Sequence, residues 1–322
     1  MKKIALIYMG GTFGCVGEPL APMPADKFIP LLQHVLPLHL EIECFVSPII
    51  KDSSACTAKD WLTLIQFIQN LQLKQYQHFV IIHGTDTLSY ASAVLAQFLG
   101  QSAYVVLTGS QYPLLNVQGT NTREFTDAID NLNFALESVV SISTGVYLAF
   151  HHNLVHGQTA LKRHTTELDA FTGTTAITEI TANIENIVIG EAHIHKAQTF
   201  NCLNLMLQPI SIAQQIQNIQ AISQNPPNAL ILQGFGTGNI AVDDAFIEIL
   251  QNLQSKNCAV IVASQVPFGD LDQRYAVSEW IQKSRILVSS SLSLADLYAK
   301  CLKMYLKYDS IDQWQNHWND QV

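Results

Sequence analysis

The chain has 322 residues, enough for two domains, and 48% of them are hydrophobic, so it can bury large cores. Charged residues make up only 13%, about half the usual share, and the net charge is −9. Nucleic-acid binding relies on basic patches, and this sequence has no block of basic residues. We therefore expect no nucleic-acid partner.

The first residues predict a strand rather than a leader. Lys2 and Lys3 precede a short apolar run that Gly10 and Gly11 interrupt, whereas a secretory signal needs a longer apolar region. Apolar stretches stay well below the roughly 20 residues of a membrane span. The six cysteines form no CxxC pair and no metal-ligand spacing. We expect reduced thiols, a cytoplasmic location and no membrane partner.

Residues 1–185 alternate between strand-like and helix-like patterns. The predicted strands are Ile4–Tyr8, Phe79–Ile82, Tyr104–Leu107 and Gly145–Phe150. The predicted helices are Ala25–Val35, Lys59–Leu71 with Thr57 as its cap, Leu88–Leu99 and Thr126–Ser138. This alternation predicts a larger N-terminal α/β domain with a mostly parallel, doubly wound sheet covered by helices.

The polar stretch 186–199 is typical of a connector, and a second alternation follows it in residues 200–322. The predicted strands there are Leu203–Leu207, Ala229–Leu232 and Ala259–Ala263. The predicted helices are Asp243–Leu253 and Leu292–Tyr305. We interpret this part as a smaller C-terminal α/β domain.

Small polar residues follow two of the predicted strands. Thr12 comes after the first strand in a Gly-Gly-Thr turn, and Thr85 and Asp86 lie in the segment His83–Thr87 after the second. Ligands of open α/β sheets bind outside the carboxyl ends of the strands, so both segments point to one crevice. A threonine hydroxyl can attack a carbonyl when a neighbouring group such as Lys162 or Asp86 helps to remove its proton.

Structural alternatives exist for each of these segments. The Gly-Gly-Thr turn could serve close packing alone, and its glycine spacing does not fit a dinucleotide-binding fingerprint. Thr85 and Asp86 could be helix caps. Asp52 and Ser53 follow the apolar run 45–50 and could simply begin a helix. The sequence contains no H-E-x-x-H and no G-x-S-x-G, so neither a zinc protease nor a serine hydrolase is indicated.

Several motifs occur in an order that is found in a known family. They are Gly10–Thr12, His83–Thr87, Thr108–Ser110, Lys162 with the downstream Asp169–Phe171, and Gly236–Asn239. Through them the chain resembles the bacterial-type L-asparaginase family over nearly its whole length, and it is most similar to the cytoplasmic type I members.

The resemblance implies roles for individual residues. Thr12 would be the nucleophile, and Thr85 would work with Lys162 and Asp86 in proton transfer. Asp52, Ser53 and Asp86 would bind the α-amino and α-carboxylate groups of a small amino-acid substrate. The implied reaction is hydrolysis of the side-chain amide of L-asparagine to L-aspartate and ammonia, with no metal or organic cofactor.

The resemblance also implies self-association and one departure from the family. Members form homodimers or homotetramers, which would place Gly236–Asn239 or the segment 268–275 near the partner's site. The family's lid carries a tyrosine that contacts the nucleophile, but residues 14–24 contain none, and Leu20 is the nearest match. Met9 stands where the family usually has threonine, and the stretch from Gln111 to Thr126 is longer than usual.

Two alternatives therefore stay open. One is a non-catalytic or weakly active amino-acid-binding homologue that lacks the lid tyrosine. The other is an amidohydrolase that prefers glutamine. Ammonia release from asparagine and from glutamine would separate them.

Overall fold

The computed structural model describes residues 2–180, 184–269, 271 and 279–320. Contacts within the chain divide it into two compact units, Met1–Gln198 and Thr199–Val322. Within the described ranges, no helix has both the length and the apolar character needed to cross a membrane.

The first unit alternates strands with helices. Its strands are β1 (Lys3–Tyr8), β2 (Cys15–Val16), β3 (Ala21–Pro22), β4 (Glu41–Val46), β5 (His78–Ile82), β6 (Tyr104–Thr108), β7 (Gly145–Phe150), β8 (Asn153–His156), β9 (Leu161–Lys162) and β10 (Phe171–Thr172). Its helices are α1 (Ala25–Gln33), α2 (Ala58–Leu73), α3 (Leu88–Leu99), α4 (Ala128–Val139) and α5 (Glu191–Ala197).

The main sheet confirms the predicted mostly parallel architecture. Its strand order is β4-β1-β5-β6-β7-β8, and pairing is parallel from β4 to β7. Only its last strand, β8, runs antiparallel. The chain passes from β1 to β4 on one side and then returns to β5 on the other. This reversal opens a crevice at the carboxyl ends of β1 and β5, where ligands of such sheets bind.

Apolar residues on both faces of β1 and β5 explain why these strands lie at the centre. All five residues of β5 are buried, as expected for a parallel sheet covered on both faces. On one face, Ile4, Leu6 and Tyr8 of β1 share a core with residues of α1 and α4. Tyr8 packs against Phe28 of α1 with ring centroids 4.6 Å apart. This packing fixes the end of β1, and therefore the loop that follows it.

The second unit is a smaller α/β layer structure. Its strands are β11 (Cys202–Met206), β12 (Ala229–Gly234), β13 (Ala259–Ser264) and β14 (Leu287–Val288), paired in parallel in that order. Its helices are α6 (Ile212–Ser223), α7 (Asp244–Ser255), α8 (Glu279–Lys283), α9 (Leu294–Lys307) and α10 (Ile311–His317). Separate hydrophobic cores cover the two faces of this sheet.

Two segments contain secondary structure that the sequence patterns do not reveal. The apolar run 45–50 overlaps only the end of β4, which runs from Glu41 to Val46. As the edge strand it alternates polar and apolar residues, so a search for a continuous apolar run misses most of it. The stretch 186–199 contains α5, and the Gln69 side chain of α2 donates a 2.7 Å hydrogen bond to the Ile187 carbonyl.

Candidate active site

Loops at the carboxyl ends of neighbouring strands pack backbone against backbone. A Cβ atom added at Gly11 would overlap the Cα of Gly84, and one at Gly84 would lie 2.5 Å from the Ser53 Oγ. A Cβ at Gly109 would overlap the His83 carbonyl oxygen. Only glycine allows such close approach. The loops after β1, β4, β5 and β6 therefore meet in one crevice. The sequence predicts this meeting for the loops after β1 and β5.

Thr12 begins a 3₁₀ turn, Thr12–Gly14, directly after β1. Gly11 before it has φ of 87°, a conformation that glycine adopts without steric cost. The Cys15 backbone N–H donates to the Thr12 carbonyl and closes the turn. Thr12 is half-buried. Its position at the carboxyl end of an inner strand, beside the reversal of strand order, suits a side chain that meets a ligand in the crevice.

Lys162 lies against Thr85 and Asp86, although 76 or 77 residues separate it from them. Its Nζ donates to the Thr85 Oγ1 at 2.9 Å and to the Asp86 Oδ1 at 3.3 Å. Thr85 is 7% exposed, whereas 60% of the Asp86 side chain is exposed. The amine thus touches a buried hydroxyl on one side and an accessible carboxylate on the other. An amine in contact with a hydroxyl can exchange a proton with it.

His83 supports the loop after β5 through a contact with the backbone of that loop. It is buried, and its Nδ1 lies 2.7 Å from the Gly84 carbonyl oxygen, while the Trp61 indole N–H donates to its Nε2 at 3.3 Å. A carbonyl only accepts and an indole only donates, so we assign the proton of the neutral ring to Nδ1. Burial lowers the pKa of His83 to about 4. His83 is therefore neutral at pH 7 and holds Gly84 in place.

Asp52 and Ser53 lie in the loop between β4 and α2. The Asp52 Oδ1 accepts hydrogen bonds from the Ser54 N–H at 2.8 Å and from the Ser54 hydroxyl at 2.6 Å. These bonds to Ser54, the hydroxyl first, lower the pKa of Asp52. Ser53 is buried, and its carbonyl accepts a 2.7 Å bond from the Thr87 hydroxyl. An exposed, ionised Asp52 is suited to a cationic amino group.

Asp127 organises the loop after β6, although no sequence pattern points to it. Its buried carboxylate accepts from the backbone N–H groups of Gln111, at 2.9 Å, and Tyr112, at 3.0 Å. It also accepts from the Asn131 side chain at 3.0 Å, which donates in turn to the Gly109 carbonyl at 3.1 Å. An acid just before a helix is typical of a cap. Its backbone partners are 15 and 16 residues upstream, so the local sequence does not reveal this role.

The lid segment 14–24 forms an antiparallel hairpin of β2 and β3. The Gly17 N–H donates to the Val117 carbonyl at 3.0 Å, so the long stretch after Gln111 is bonded to the hairpin. A Cβ at Gly14 would overlap the Tyr8 hydroxyl, which explains the glycine at the base of the hairpin. Leu20, the nearest match to the family's lid tyrosine, is 51% exposed near the hairpin tip.

The segment Gly236–Asn239 forms a tight turn in the second unit. The Phe235 N–H donates to the Asn239 carbonyl at 2.9 Å, and the Gly238 N–H donates to the Phe235 carbonyl at 2.9 Å. Of the other segment expected near a partner, 268–275, residues 270 and 272–275 lie outside the described residues.

The two exposed carboxylates of the crevice each bond to a neighbouring residue. Asp52 is bonded to Ser54, and Asp86 is bonded to Lys162. In the part of the chain that the structure describes, no three His, Cys, Asp or Glu residues form a group that could hold a metal ion.

Known proteins match this chain over most of its length. Residues 3–196 match the family model described as asparaginase, N-terminal. The chain is 26% identical over 293 residues to L-asparaginase 1 of Escherichia coli K12, covering 84% of this chain and 82% of that protein. It is 28% identical over 255 residues to an L-asparaginase of Dirofilaria immitis, covering 75% of this chain but only 41% of that longer protein.

A solved structure agrees in fold over the whole length. The thermostable L-asparaginase from Thermococcus kodakarensis superimposes with a TM-score of 0.79 and 21% identity, covering 98% of this chain and 96% of that one. At this identity the likeness establishes the fold, while the family match over more than half of the sequence establishes the relationship. The chain belongs to the asparaginase family of amidohydrolases.

Proposed function

We propose that the protein hydrolyses the side-chain amide of L-asparagine to L-aspartate and ammonia, with Thr12 as the nucleophile. The observation that carries this proposal is the contact of the Lys162 Nζ with the Thr85 Oγ1 at 2.9 Å and with the Asp86 Oδ1 at 3.3 Å. Such an arrangement supplies a proton acceptor beside a hydroxyl in the crevice where Thr12 also lies.

The proposed reaction proceeds in two halves. The Thr12 hydroxyl attacks the amide carbon while its proton passes through Thr85 to the amine of Lys162. The backbone N–H groups of the turn after His83 stabilise the oxyanion. The C–N bond then breaks, the proton goes to the leaving nitrogen, and ammonia departs. A water molecule hydrolyses the resulting ester of Thr12 and releases aspartate. Alternatively, an activated water attacks the amide directly.

Substrate binding would use the carboxylates and the small polar groups of the same crevice. Asp52 and Asp86 would pair with the α-amino group, since both present exposed carboxylates. Ser53 would donate to the α-carboxylate. This assignment predicts that the site selects a free amino acid over an amide within a peptide, which lacks both charges.

Ammonia release from asparagine and glutamine, measured side by side with the purified protein, tests the proposal. We expect release from asparagine and its loss in Thr12→Val, which keeps the side-chain shape and removes the hydroxyl. Thr63→Val is the matched control, because the Thr63 hydroxyl bonds only to the Lys59 carbonyl of its own helix among the described residues. Absence of ammonia from both amides with the wild-type protein would rule out the proposal.

A second candidate is supported by the lid. Residues 14–24 contain no tyrosine, and Leu20 at the corresponding place is half exposed. A missing partner for the nucleophile favours a weakly active or non-catalytic amino-acid-binding protein. Calorimetric binding of asparagine without ammonia release identifies the binding protein, and faster release from glutamine identifies a glutamine-preferring amidohydrolase.

We also expect the protein to act in the cytoplasm, as its resemblance to type I members implies, with no nucleic acid, membrane or cofactor as partner. Fractionation of the source cells tests the location. Full activity of the protein after dialysis against a chelator, without any added cofactor, would agree with the chemistry above.

A further inference from the structure

We propose that Gln111 is a positioning residue for Lys162. The Gln111 Nε2 donates to the backbone carbonyls of Glu167, at 2.9 Å, and Thr165, at 3.3 Å. Both carbonyls lie in the turn that joins β9 to β10, and Lys162 is the last residue of β9. Gln111 thus links the loop after β6 to the hairpin that carries the lysine.

The hairpin needs such a link because its own pairing is short. β9 and β10 pair through only two residues each, and the turn residues 163–167 are exposed. A two-stranded hairpin of this size is marginally stable by itself. Its base is closed by the ion pair of Arg163 with Asp169, and Asp169 accepts a 3.0 Å bond from Asn153 of β8. The distal part of the turn, by contrast, is bonded to the Gln111 side chain.

Gln111 can act as an anchor because its own backbone is held by a buried group. The Asp127 carboxylate, only 7% exposed, accepts the Gln111 N–H with both oxygens, at 2.9 and 3.1 Å. Asp127 precedes α4, and Asn131 of α4 connects it to the Gly109 carbonyl at the end of β6. The link therefore runs from the packed sheet and α4, through one side chain, to the exposed turn of the hairpin, whereas Phe171 of β10 is buried.

This connection matters for the Lys162 amine, whose contact with the Thr85 hydroxyl depends on where the hairpin lies. At 2.9 Å the two atoms are in direct hydrogen-bond contact. A displacement of about 1 Å would break that contact, and misplacement on this scale can cost about 10² in rate. Gln111 does not touch Lys162 itself, so its effect would be on proton transfer rather than on substrate affinity.

Gln111→Met tests this inference, which rests on the proposed function for its kinetic part. Methionine keeps the length of the side chain and removes both hydrogen bonds. We expect kcat for asparagine to fall about tenfold, with KM changed by less than about twofold, because the ground-state contacts stay intact. In a Lys162→Met background the same substitution is expected to leave the residual kcat unchanged, because both changes act through one group.

Gln101→Met is the matched control, since Gln101 lies beyond α3, and its side chain accepts only a 3.5 Å bond from Thr144 among the described contacts. An unchanged kcat in an active Gln111→Met protein, a rise in KM alone, or an equal loss in Gln101→Met would each overturn the inference. If the wild-type protein releases no ammonia, the proposed function fails, and hydrogen exchange decides this inference. Faster exchange of peptide 161–172 in Gln111→Met would support it, and unchanged exchange would overturn it.

Discussion

At the scale of single residues, Lys162 joins a buried hydroxyl to an exposed carboxylate. We predict that Lys162→Met lowers turnover of asparagine by at least about 10², because it removes the proton acceptor beside Thr85 and changes the length of the side chain little. Steady-state ammonia release measures the effect, and circular dichroism establishes that the variant is folded.

Lys27→Met provides the control for this change. Lys27 is exposed on α1, so the same substitution there is expected to leave turnover within about twofold. Near-normal turnover in a folded Lys162→Met protein would show that Lys162 has been assigned the wrong role, whatever the wild-type rate is.

His83 makes stability depend on pH. Its pKa is near 6.5 in the unfolded chain, and burial lowers it to about 4 in the folded protein. Between these values the unfolded state binds more protons, so stability falls as pH falls from about 7 to about 4. The loss from this one group is about 2 kcal/mol between pH 7 and pH 5.

Urea unfolding of wild-type protein and His83→Gln at both pH values measures this contribution. Glutamine cannot titrate, and the carboxylates that do titrate are common to both proteins, so their effects cancel. We expect the stability advantage of the wild type at pH 7 to shrink by about 2 kcal/mol at pH 5. An advantage that stays constant with pH would mean that His83 is not neutral in the folded state, or that its burial is incomplete.

At the scale of elements, the lid hairpin is where the family resemblance implies a departure, because residues 14–24 contain no tyrosine. Leu20 is 51% exposed near the tip, and Glu18 is also exposed. We expect Leu20→Tyr to raise kcat about tenfold, because a tyrosine hydroxyl would supply the hydrogen bond to Thr12 that the lid lacks. Glu18→Gln is expected to leave kcat unchanged.

The opposite pattern of results would indicate that another lid residue performs the role of the tyrosine. If Glu18 has taken over the role of the tyrosine, Leu20→Tyr will be neutral or harmful, and Glu18→Gln will lower kcat. If both variants keep wild-type turnover, the catalytic partner of Thr12 lies outside residues 14–24. The bond from the Gly17 N–H to the Val117 carbonyl makes the long stretch after Gln111 the first place to look.

Continuous apolar runs predict those elements whose burial is uniform. α3 runs from Leu88 to Leu99 and β7 from Gly145 to Phe150, as the sequence predicts, because nearly every residue of each packs in the core. The small hairpins of β2–β3 and β9–β10 lie beyond the reach of such patterns. Each has two-residue strands, too short for any period, and tertiary bonds from distant loops hold them in place.

The candidate site likewise contains some residues that sequence motifs locate and others that they do not. Motifs at the ends of predicted strands suffice to place Thr12, Thr85 and Asp86 at one edge of the sheet. The contact of Lys162 with Thr85 does not follow from periodicity, and only the family resemblance indicates it. No sequence motif indicates the roles of Asp127 and Gln111. Both bond mainly to backbone groups, which every residue carries, so the residue types of their partners do not reveal the contacts.

At the scale of the whole molecule, the second unit exposes a group of apolar side chains. Two of them lie on β11, and the others follow β11, β12 or β13 within a few residues. The group consists of Leu203, Met206, Ile210, Phe235, Val266 and Phe268, each at least 37% exposed. These strands are neighbours in the sheet, so the residues after them share one end of it. Such a cluster favours contact with another protein surface.

We predict that the contact is with a second copy of the chain, in a homodimer or homotetramer that brings Gly236–Asn239 near the partner's site. Light scattering at micromolar concentration is expected to give a mass of at least twice 35.7 kDa. Met206→Glu should shift the protein toward monomer, because it places a charge on an edge strand at a side chain that is 53% exposed. Leu38→Glu in the first unit, where Leu38 is fully exposed, should leave the mass unchanged. A wild-type monomer that still hydrolyses asparagine would show that the site is complete within one chain, and the exposed apolar residues would then need another partner.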